Sequence, residues 1–208
     1  MVVSLLPVAA AYLVGAVPIG FLVARAVGVG DIRRRGSGNI GATNVLRTAG
    51  RLPAIATLVG DIVKGYAAVV LASYLGGGDP GITAAGAVAA VVGNCWSVFL
   101  LFRGGKGVAT GLGALLRLAP LATLAAVPVF LAVAMTTRFV SLASLLAAAC
   151  VPFGAWALGA PRPSVLGAFA VAAIVIVRHR ENIARLRAGT ERRLGERRPP
   201  TAEEGLRP

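Results

Sequence analysis

A series of long apolar runs, separated by short stretches rich in arginine, constrains this chain more than any other feature of its sequence. Most of the runs approach the roughly 20 residues that a helix needs to cross a bilayer, and they exceed the roughly 10-residue alternating strands of a barrel. The sequence therefore predicts an all-α, polytopic integral membrane protein. The six runs cover residues 1–27, 52–75, 82–102, 108–135, 139–160 and 164–177.

The composition agrees with a membrane protein and argues against a soluble one. The chain is 57% hydrophobic and 14% charged, whereas soluble domains have about 45–50% apolar and about 25% charged residues. Its 21 Lys and Arg against 8 Asp and Glu give a net charge of +13. These basic residues lie between the apolar runs, as they do in cytoplasmic membrane loops. We therefore expect membrane lipid and no nucleic acid as a partner.

The basic stretches also predict the topology. The loop that contains Arg33 is rich in arginine, so the positive-inside rule places it in the cytoplasm and the N-terminus outside. The tail from Arg178 is equally basic and should also be cytoplasmic, which requires an odd number of crossings. Arg117 and Pro120 divide the fourth run, because a charge and a helix breaker mark a turn. We therefore predict seven transmembrane helices, of which Val108–Leu118 is short.

The chain is predicted to form one domain. Residues 1–191 contain all of the apolar runs and the motifs described below, and they form a single membrane-embedded unit. Residues 192–208 are rich in charge and proline, a composition that favours disorder.

The first cytoplasmic loop contains the parts of a phosphate-binding site. Its sequence, SGNIGATNVLR from Ser37 to Arg47, combines glycines that allow close approach of the backbone, neutral hydrogen-bond donors and one arginine. The alternative is a flexible polar loop in which the glycines only turn the chain. The candidate ligands are Ser37, Gly38, Asn39, Gly41, Thr43, Asn44 and Arg47.

A second candidate anion site is the GGKG stretch at Gly104–Gly107, which leads directly into a helix. Helix N-termini present free N–H groups and the positive end of the helix dipole, so Gly105, Lys106 and Gly107 are candidate phosphate ligands. The spacing is not that of a P-loop, so ATP is not implied. The stretch could also be only a basic loop at the cytoplasmic face.

The segment after the last run contains the only histidine. His179 and Asn182 lie three residues apart, on one face of a predicted helix. Ser141 and Ser144 follow Arg138 at the start of another span, and a helical serine ordinarily bonds to its own backbone. With one histidine and no Cys/His cluster, we expect no metal site and no cofactor.

Asp61 and Lys64 are ionisable residues inside the second span. Such residues are energetically costly in a membrane and are paired or functional. Their i, i+3 spacing favours an ion pair that fixes helix packing, and the alternative is a supporting role in the site.

Three ordered motifs identify a family. SGNIGATNVLR, FLLFRGGKGVAT from Phe99 and HRENIARLRAGTE from His179 resemble the bacterial acyl-phosphate:glycerol-3-phosphate acyltransferases, the PlsY family. The resemblance covers about residues 12–191. The chain departs from the family at Asn94, where histidine is usual, which leaves the role of that histidine in doubt here.

The resemblance implies an enzyme of the bacterial inner membrane with its active site on the cytoplasmic side. Such an enzyme transfers a fatty acyl group from acyl phosphate to the sn-1 hydroxyl of glycerol 3-phosphate, giving lysophosphatidic acid and phosphate without a covalent acyl-enzyme. A soluble enzyme that makes acyl phosphate is an expected partner. By matching positions, Ser37, Thr43, Asn44, Arg47 and Lys106 contact phosphate, while Ser144, His179 and Asn182 surround the reacting hydroxyl.

Two other functions are consistent with parts of the sequence. A transporter of an organic phosphate would explain the intramembrane ionisable residues and the broken fourth run. Against it, the second half of the chain does not repeat the first. A scaffold that binds anionic lipid head groups would explain the basic loops.

Overall fold

The structure is a computed structural model that describes residues 5–196. This part of the chain contains ten α-helices and no strand, which confirms the predicted all-α class. The helices are α1 (Leu5–Ala16), α2 (Ile19–Ala26), α3 (Ala42–Ala49), α4 (Arg51–Leu75), α5 (Pro80–Cys95), α6 (Val108–Leu118), α7 (Pro120–Thr137), α8 (Val140–Ala157), α9 (Arg162–Arg178) and α10 (Arg180–Arg187).

The apolar runs form helices of membrane-spanning character. Five segments are long and apolar enough to cross a bilayer when α1 and α2 are taken together, and the bent pair of α9 and α10 raises the number to six. The predicted division of the fourth run is present, because α6 ends at Leu118 and α7 begins at Pro120. Helix α6 has only 11 residues. The total of seven crossings and the orientation of the termini stay predictions.

The first span is broken between Ala16 and Ile19, which the apolar pattern did not predict. Pro18 lacks an N–H and interrupts the helical hydrogen bonds, so nearby carbonyl groups need other donors. Ser97 Oγ donates to the carbonyl of Ala16 at 2.6 Å, and Lys64 Nζ donates to the carbonyl of Val17 at 2.7 Å. The break is thus stabilised by side chains from two other parts of the bundle.

Three glycines allow two pairs of membrane helices, α1 with α5 and α4 with α6, to pack with their backbones close together. A Cβ atom added to Gly15 of α1 would lie 2.1 Å from the carbonyl oxygen of Ala90 in α5. A Cβ atom at Gly113 of α6 would lie 1.9 Å from that of Ile62 in α4. A Cβ atom at Gly93 of α5 would approach the backbone of Tyr12 in α1 to 2.2 Å. Small residues at helix crossings are typical of membrane bundles.

The core lies between α5, α6 and α9. Val91, Leu115 and Val171 are buried there in one apolar cluster. Helices α7 and α8 pack against each other and cover one side of this core. The helices that carry the functional loops are therefore held together below the site.

The C-terminal residues were predicted to be disordered from residue 192 onward. Residues 197–208 lie outside the described part of the chain. Before them, the N–H of Leu194 donates to the carbonyl of Arg138 at 2.7 Å. The guanidinium of Arg193 stacks over the ring of Phe139 at 5.3 Å. Arg193 and Leu194 of the predicted tail thus contact the turn between α7 and α8.

Candidate functional site

One cavity of about 640 Å³ brings the three motifs together. It opens where α3 and α6 begin, where α9 meets α10, and where α8 begins. Every candidate site residue named from the sequence lines this cavity except Lys64, which lies behind Asp61. Residues far apart in the chain therefore share one site.

The first loop is held in shape by Asn44, which is almost completely buried. Its Nδ2 donates to the carbonyls of Asn39 at 2.7 Å and Arg35 at 3.1 Å. Its Oδ1 accepts the N–H of Ser37 at 2.8 Å. Asn44 was expected to contact phosphate, but its amide is used to fold the loop. The loop therefore presents its backbone and its other side chains to the cavity.

Helix α3 begins inside this loop and provides an anion-binding end. Asn39 Oδ1 accepts the N–H of Gly41 at 2.8 Å, which turns the chain just before the helix starts at Ala42. Thr43 and Arg47 are four residues apart and therefore lie on one face of α3. Partial burial of its guanidinium lowers the pKa of Arg47. Arg47 lies in the last turn of α3, and helical side chains lean towards the N-terminus, so its guanidinium can meet an anion bound at the free N–H groups of the first turn.

The GGKG loop forms the second anion-binding end. The N–H of Gly105 donates to the carbonyl of Asn94 at 2.8 Å, and a Cβ atom at Gly104 would lie 2.1 Å from that same oxygen. Gly107 adopts a φ of 80° and begins α6. Lys106 Nζ donates to the Oδ1 atom of Asn182. Burial lowers the pKa of this lysine, which lies beside the free N–H groups of the helix.

Arg178 braces the GGKG loop, and the sequence reasoning did not identify it. Its Nε donates to the carbonyl of Gly105 at 3.1 Å, and its guanidinium lies 5.1 Å from the ring of Trp96. The tail contains many arginines, so the sequence gives no reason to select Arg178. Only the folded structure shows that Arg178 holds the loop that carries Lys106.

His179 lies at the bend of 59° between α9 and α10 and is 3% exposed. Its Nδ1 is 2.7 Å from the carbonyl of Val175, so this nitrogen carries the proton and donates. The other ring nitrogen, Nε2, is left as an acceptor. Burial lowers the pKa of His179 to about 4. The imidazole is therefore neutral at pH 7 and can accept a hydrogen bond from a substrate hydroxyl.

Glu191 connects the third motif to α8 and was missed from sequence. Its Oε1 accepts hydrogen bonds from Ser141 Oγ at 2.7 Å and Asn182 Nδ2 at 2.6 Å, and its Oε2 accepts Arg185 Nε at 2.7 Å. Burial raises the pKa of Glu191, but these three hydrogen bonds outweigh it and lower the pKa overall. The carboxylate fixes Asn182, which in turn holds Lys106.

Ser144 bonds to its own helix, as expected of a helical serine. Its Oγ donates to the carbonyl of Val140 at 2.8 Å. Its proton is thus used, while its oxygen lone pairs are free to accept a hydrogen bond in the cavity. The role of Ser144 at the reacting hydroxyl stays a prediction.

The predicted ion pair inside the second span is confirmed. Lys64 Nζ lies 2.6 Å from Asp61 Oδ1, and both side chains are buried. Lys64 also donates to Asn94 Oδ1 at 2.9 Å. Asn94 therefore links this pair to the GGKG loop through its own backbone carbonyl.

The arrangement is suited to two phosphorylated ligands. The N-termini of α3 and α6, together with Arg47 and Lys106, face a cavity that also contains a neutral imidazole. Within residues 5–196, no group of three or more His, Cys, Asp or Glu could hold a metal ion. The cavity also has an apolar edge, formed by Leu58, Phe130 and Val140 from three helices.

The chain is similar to named proteins over most of its length. A family model described as glycerol-3-phosphate acyltransferase matches residues 5–189. A Geobacter sulfurreducens protein of that name is 52% identical over 194 residues, which cover 93% of this chain and 98% of the relative. A Rubrobacter xylanophilus protein of the same name is 50% identical, covering 89% of this chain and 92% of the relative.

Two crystal structures are also similar. One is described as PlsY, an integral membrane glycerol 3-phosphate acyltransferase, in its glycerol 3-phosphate form. It is 38% identical, with a TM-score of 0.86 and coverage of 92% of this chain and 95% of that chain. The other is PlsY in its lysophosphatidic acid form, 36% identical with a TM-score of 0.84 and the same coverage.

Proposed function

Since this chain belongs to the glycerol-3-phosphate acyltransferase family, we propose that its cavity joins an acyl phosphate to glycerol 3-phosphate through the residues described above. The protein is an integral membrane acyltransferase that acylates glycerol 3-phosphate, giving lysophosphatidic acid. One observation carries the assignment of residues: Arg47 of α3 and Lys106, just before α6, line the same cavity as the neutral His179.

The two phosphate groups bind at the two helix ends. Ser37, Thr43 and Arg47 hold one phosphate at the start of α3. Lys106, with the N–H of Gly107 and those of the first turn of α6, holds the other, whereas the N–H of Gly105 is already bonded to Asn94. Each phosphate then meets a cation and free N–H groups in a partly desolvated site, where such contacts are strongest. Asn44 contributes by shaping the loop.

The attacking hydroxyl lies between His179, Ser144 and Asn182. Its oxygen attacks the acyl carbonyl carbon, the bond from that carbon to the phosphate oxygen breaks, and phosphate leaves. An acyl phosphate is already activated, so correct positioning provides much of the rate and no covalent acyl-enzyme is needed.

The hydroxyl proton passes to a phosphate oxygen. His179 accepts a hydrogen bond from the hydroxyl and orients it, but with a pKa of about 4 it is a weak base. Phosphate groups have a second pKa of about 6, so the phosphate that departs from the acyl carbon is a stronger base than His179 and takes the proton as the carbon–oxygen bond breaks. The released phosphate thus carries the proton, and the reaction balances without a protonated enzyme group.

The acyl chain enters from the side. Leu58, Phe130 and Val140 form an apolar edge of the cavity and come from α4, α7 and α8. A fatty chain lying there stays in the hydrocarbon of the bilayer while its activated end reaches the phosphate sites. The product, lysophosphatidic acid, also has one acyl chain and one phosphate group, so it leaves by the same route.

We place the site on the cytoplasmic side of a bacterial inner membrane. The basic loops that form the cavity support this, because arginine-rich short loops are retained in the cytoplasm. Both phosphorylated substrates are cytoplasmic in this scheme, and a soluble enzyme that makes acyl phosphate delivers its product at this face.

Acyl-transfer measurements on purified protein in lipid bilayers test the function. With glycerol 3-phosphate present, acyl phosphate should yield lysophosphatidic acid and one equivalent of phosphate, whereas acyl-CoA should yield neither. Arg47→Ala should remove the activity. An organic-phosphate transporter would instead take up its substrate into vesicles and release no phosphate from acyl phosphate.

A further inference from the structure

Asp61 is a buried carboxylate that lines the catalytic cavity, and one of its two oxygens receives no hydrogen bond from any described residue. Its residue exposure is 6%. Its Oδ1 is buried against the ammonium of Lys64 at a distance of 2.6 Å, whereas no described residue donates to Oδ2. A buried acceptor of this kind needs a donor.

We propose that Asp61 accepts a hydrogen bond from the glycerol 3-phosphate hydroxyl that does not react, and thereby selects a glycerol phosphate over a phosphate with one hydroxyl. The proposal rests on the proposed function and adds to it the residue that recognises the middle carbon of the acceptor.

The ion pair is arranged so that Asp61 stays available. Two of the three hydrogens of Lys64 go to fixed oxygens, the carbonyl of Val17 at 2.7 Å and Oδ1 of Asn94 at 2.9 Å. The third hydrogen is left for Oδ1 of Asp61, so Lys64 compensates the charge of the carboxylate and holds its position while Oδ2 stays available. A carboxylate has about four lone-pair positions, so room for a substrate hydroxyl remains.

The other carboxylates of the cavity are not available for this role. Glu191 already accepts hydrogen bonds from Ser141, Asn182 and Arg185. Glu181 also lines the cavity but is exposed to solvent. Of the three, Asp61 is the one that is both buried and free to accept.

The substrate needs such an acceptor. Glycerol 3-phosphate has two hydroxyls, and both lose water when they enter the cavity. His179 and Ser144 can accept from the hydroxyl that reacts. Arg47 and Lys106 are donors only, so they cannot accept from the second hydroxyl. A hydrogen bond to a charged group is worth roughly 10- to 150-fold in binding.

The test compares two acceptors, glycerol 3-phosphate and 3-hydroxypropyl phosphate, which lacks the middle hydroxyl. The wild-type protein should favour glycerol 3-phosphate in kcat/KM by roughly 10- to 150-fold. The double variant Asp61→Leu, Lys64→Met removes both charges together. Replacing only one partner would leave the other charge buried and unpaired, which strongly destabilises a protein. In this variant the preference should fall to within about threefold of unity.

A matched variant, Asp61→Asn with Lys64→Met, keeps an acceptor oxygen and should keep part of the preference. Loss of activity on both acceptors by the same factor would indicate a structural role and overturn the proposal. Equal kcat/KM of the wild-type protein for the two acceptors would also overturn it, whether or not the variants fold. Failure of the wild-type protein to acylate either acceptor would instead contradict the proposed function.

Discussion

At the scale of single residues, His179 offers a direct measurement because it is the only histidine in the chain. Burial lowers its pKa to about 4. The folded state therefore binds fewer protons than the unfolded state between about pH 4 and 6.5, so the stability contributed by this group is present above pH 6.5 and declines as the pH falls towards 4.

We predict that the ¹³Cε1 NMR signal of labelled His179 does not titrate between pH 5.5 and 8. The unfolded protein in denaturant provides the control and should titrate near the ordinary value of about 6.5. A midpoint near 6.5 in the folded protein would restore His179 as an efficient general base.

Arg47 leads to a second prediction at this scale. Its guanidinium can hold a phosphate by two parallel hydrogen bonds, which a lysine cannot reproduce. Arg47→Lys should lower kcat/KM by roughly 10- to 150-fold. Steady-state kinetics of the purified protein provide the measurement.

The matched control is Arg51→Lys, at the exposed start of α4, which should change kcat/KM by no more than about twofold. If Arg47→Lys behaves like this control, the residue serves only as a surface charge, as in a scaffold for anionic lipids.

Sequence identified the residues whose chemistry is rare, and it missed those whose role depends on partners far along the chain. The single histidine and the glycine-rich loops pointed directly to the cavity. Glu191 lies 50 residues from Ser141, to which it bonds, so no local pattern could pair them. Asn44 was predicted as a phosphate ligand because a side-chain amide can donate hydrogen bonds to phosphate or to backbone carbonyls. Only the folded loop shows that its amide bonds to the backbone.

At the scale of helices, the crossing of α4 and α6 determines where Lys106 lies. Gly113 meets the backbone of Ile62, and an added Cβ would come within 1.9 Å of its carbonyl oxygen. Gly113→Ala should therefore separate the two helices, destabilise the protein by about 1–3 kcal/mol and reduce acyl transfer. Thermal unfolding in detergent and the transfer assay measure the two effects.

Gly111→Ala is the control for this change, two residues earlier in the same helix. Its Cβ would lie 3.4 Å from a methyl group of Val171, an ordinary contact. The alanine also favours the helix by about 1 kcal/mol, so stability should be unchanged or slightly higher. Equal effects of the two substitutions would show that the close crossing is not what positions the site.

Helix boundaries were predictable where a charge or a proline marked them. The turn between α6 and α7 was found in this way from Arg117 and Pro120. Pro18 was not recognised as a break, because it lies within an otherwise continuous apolar run. The carbonyl groups next to it accept hydrogen bonds from distant donors, Ser97 and Lys64, which a local pattern does not show. Helix α3 was read as a loop because its eight residues carry no apolar run.

At the scale of the whole molecule, the predicted topology can be tested by cysteine labelling in intact cells. Cys95 and Cys150 are first replaced by serine. Arg162→Cys, at the start of α9, should then react with a membrane-impermeant maleimide from outside. Arg187→Cys, at the end of α10, should react only after the inner membrane is permeabilised. Labelling of both positions from outside would contradict a crossing of the membrane by α9 and the cytoplasmic placement of the C-terminal segment.

Helices α5 and α9 both end at the catalytic cavity, and their lengths determine its depth. They have 16 and 17 residues, or about 24 and 26 Å at 1.5 Å per residue. The hydrocarbon core of a bilayer is about 30 Å thick, so we expect the bilayer to thin around these helices and the cavity to lie below the level of the surrounding head groups. Glycerol 3-phosphate that enters this cavity then reaches the depth of the hydrocarbon, so the fatty acyl chain does not need to leave the bilayer to react.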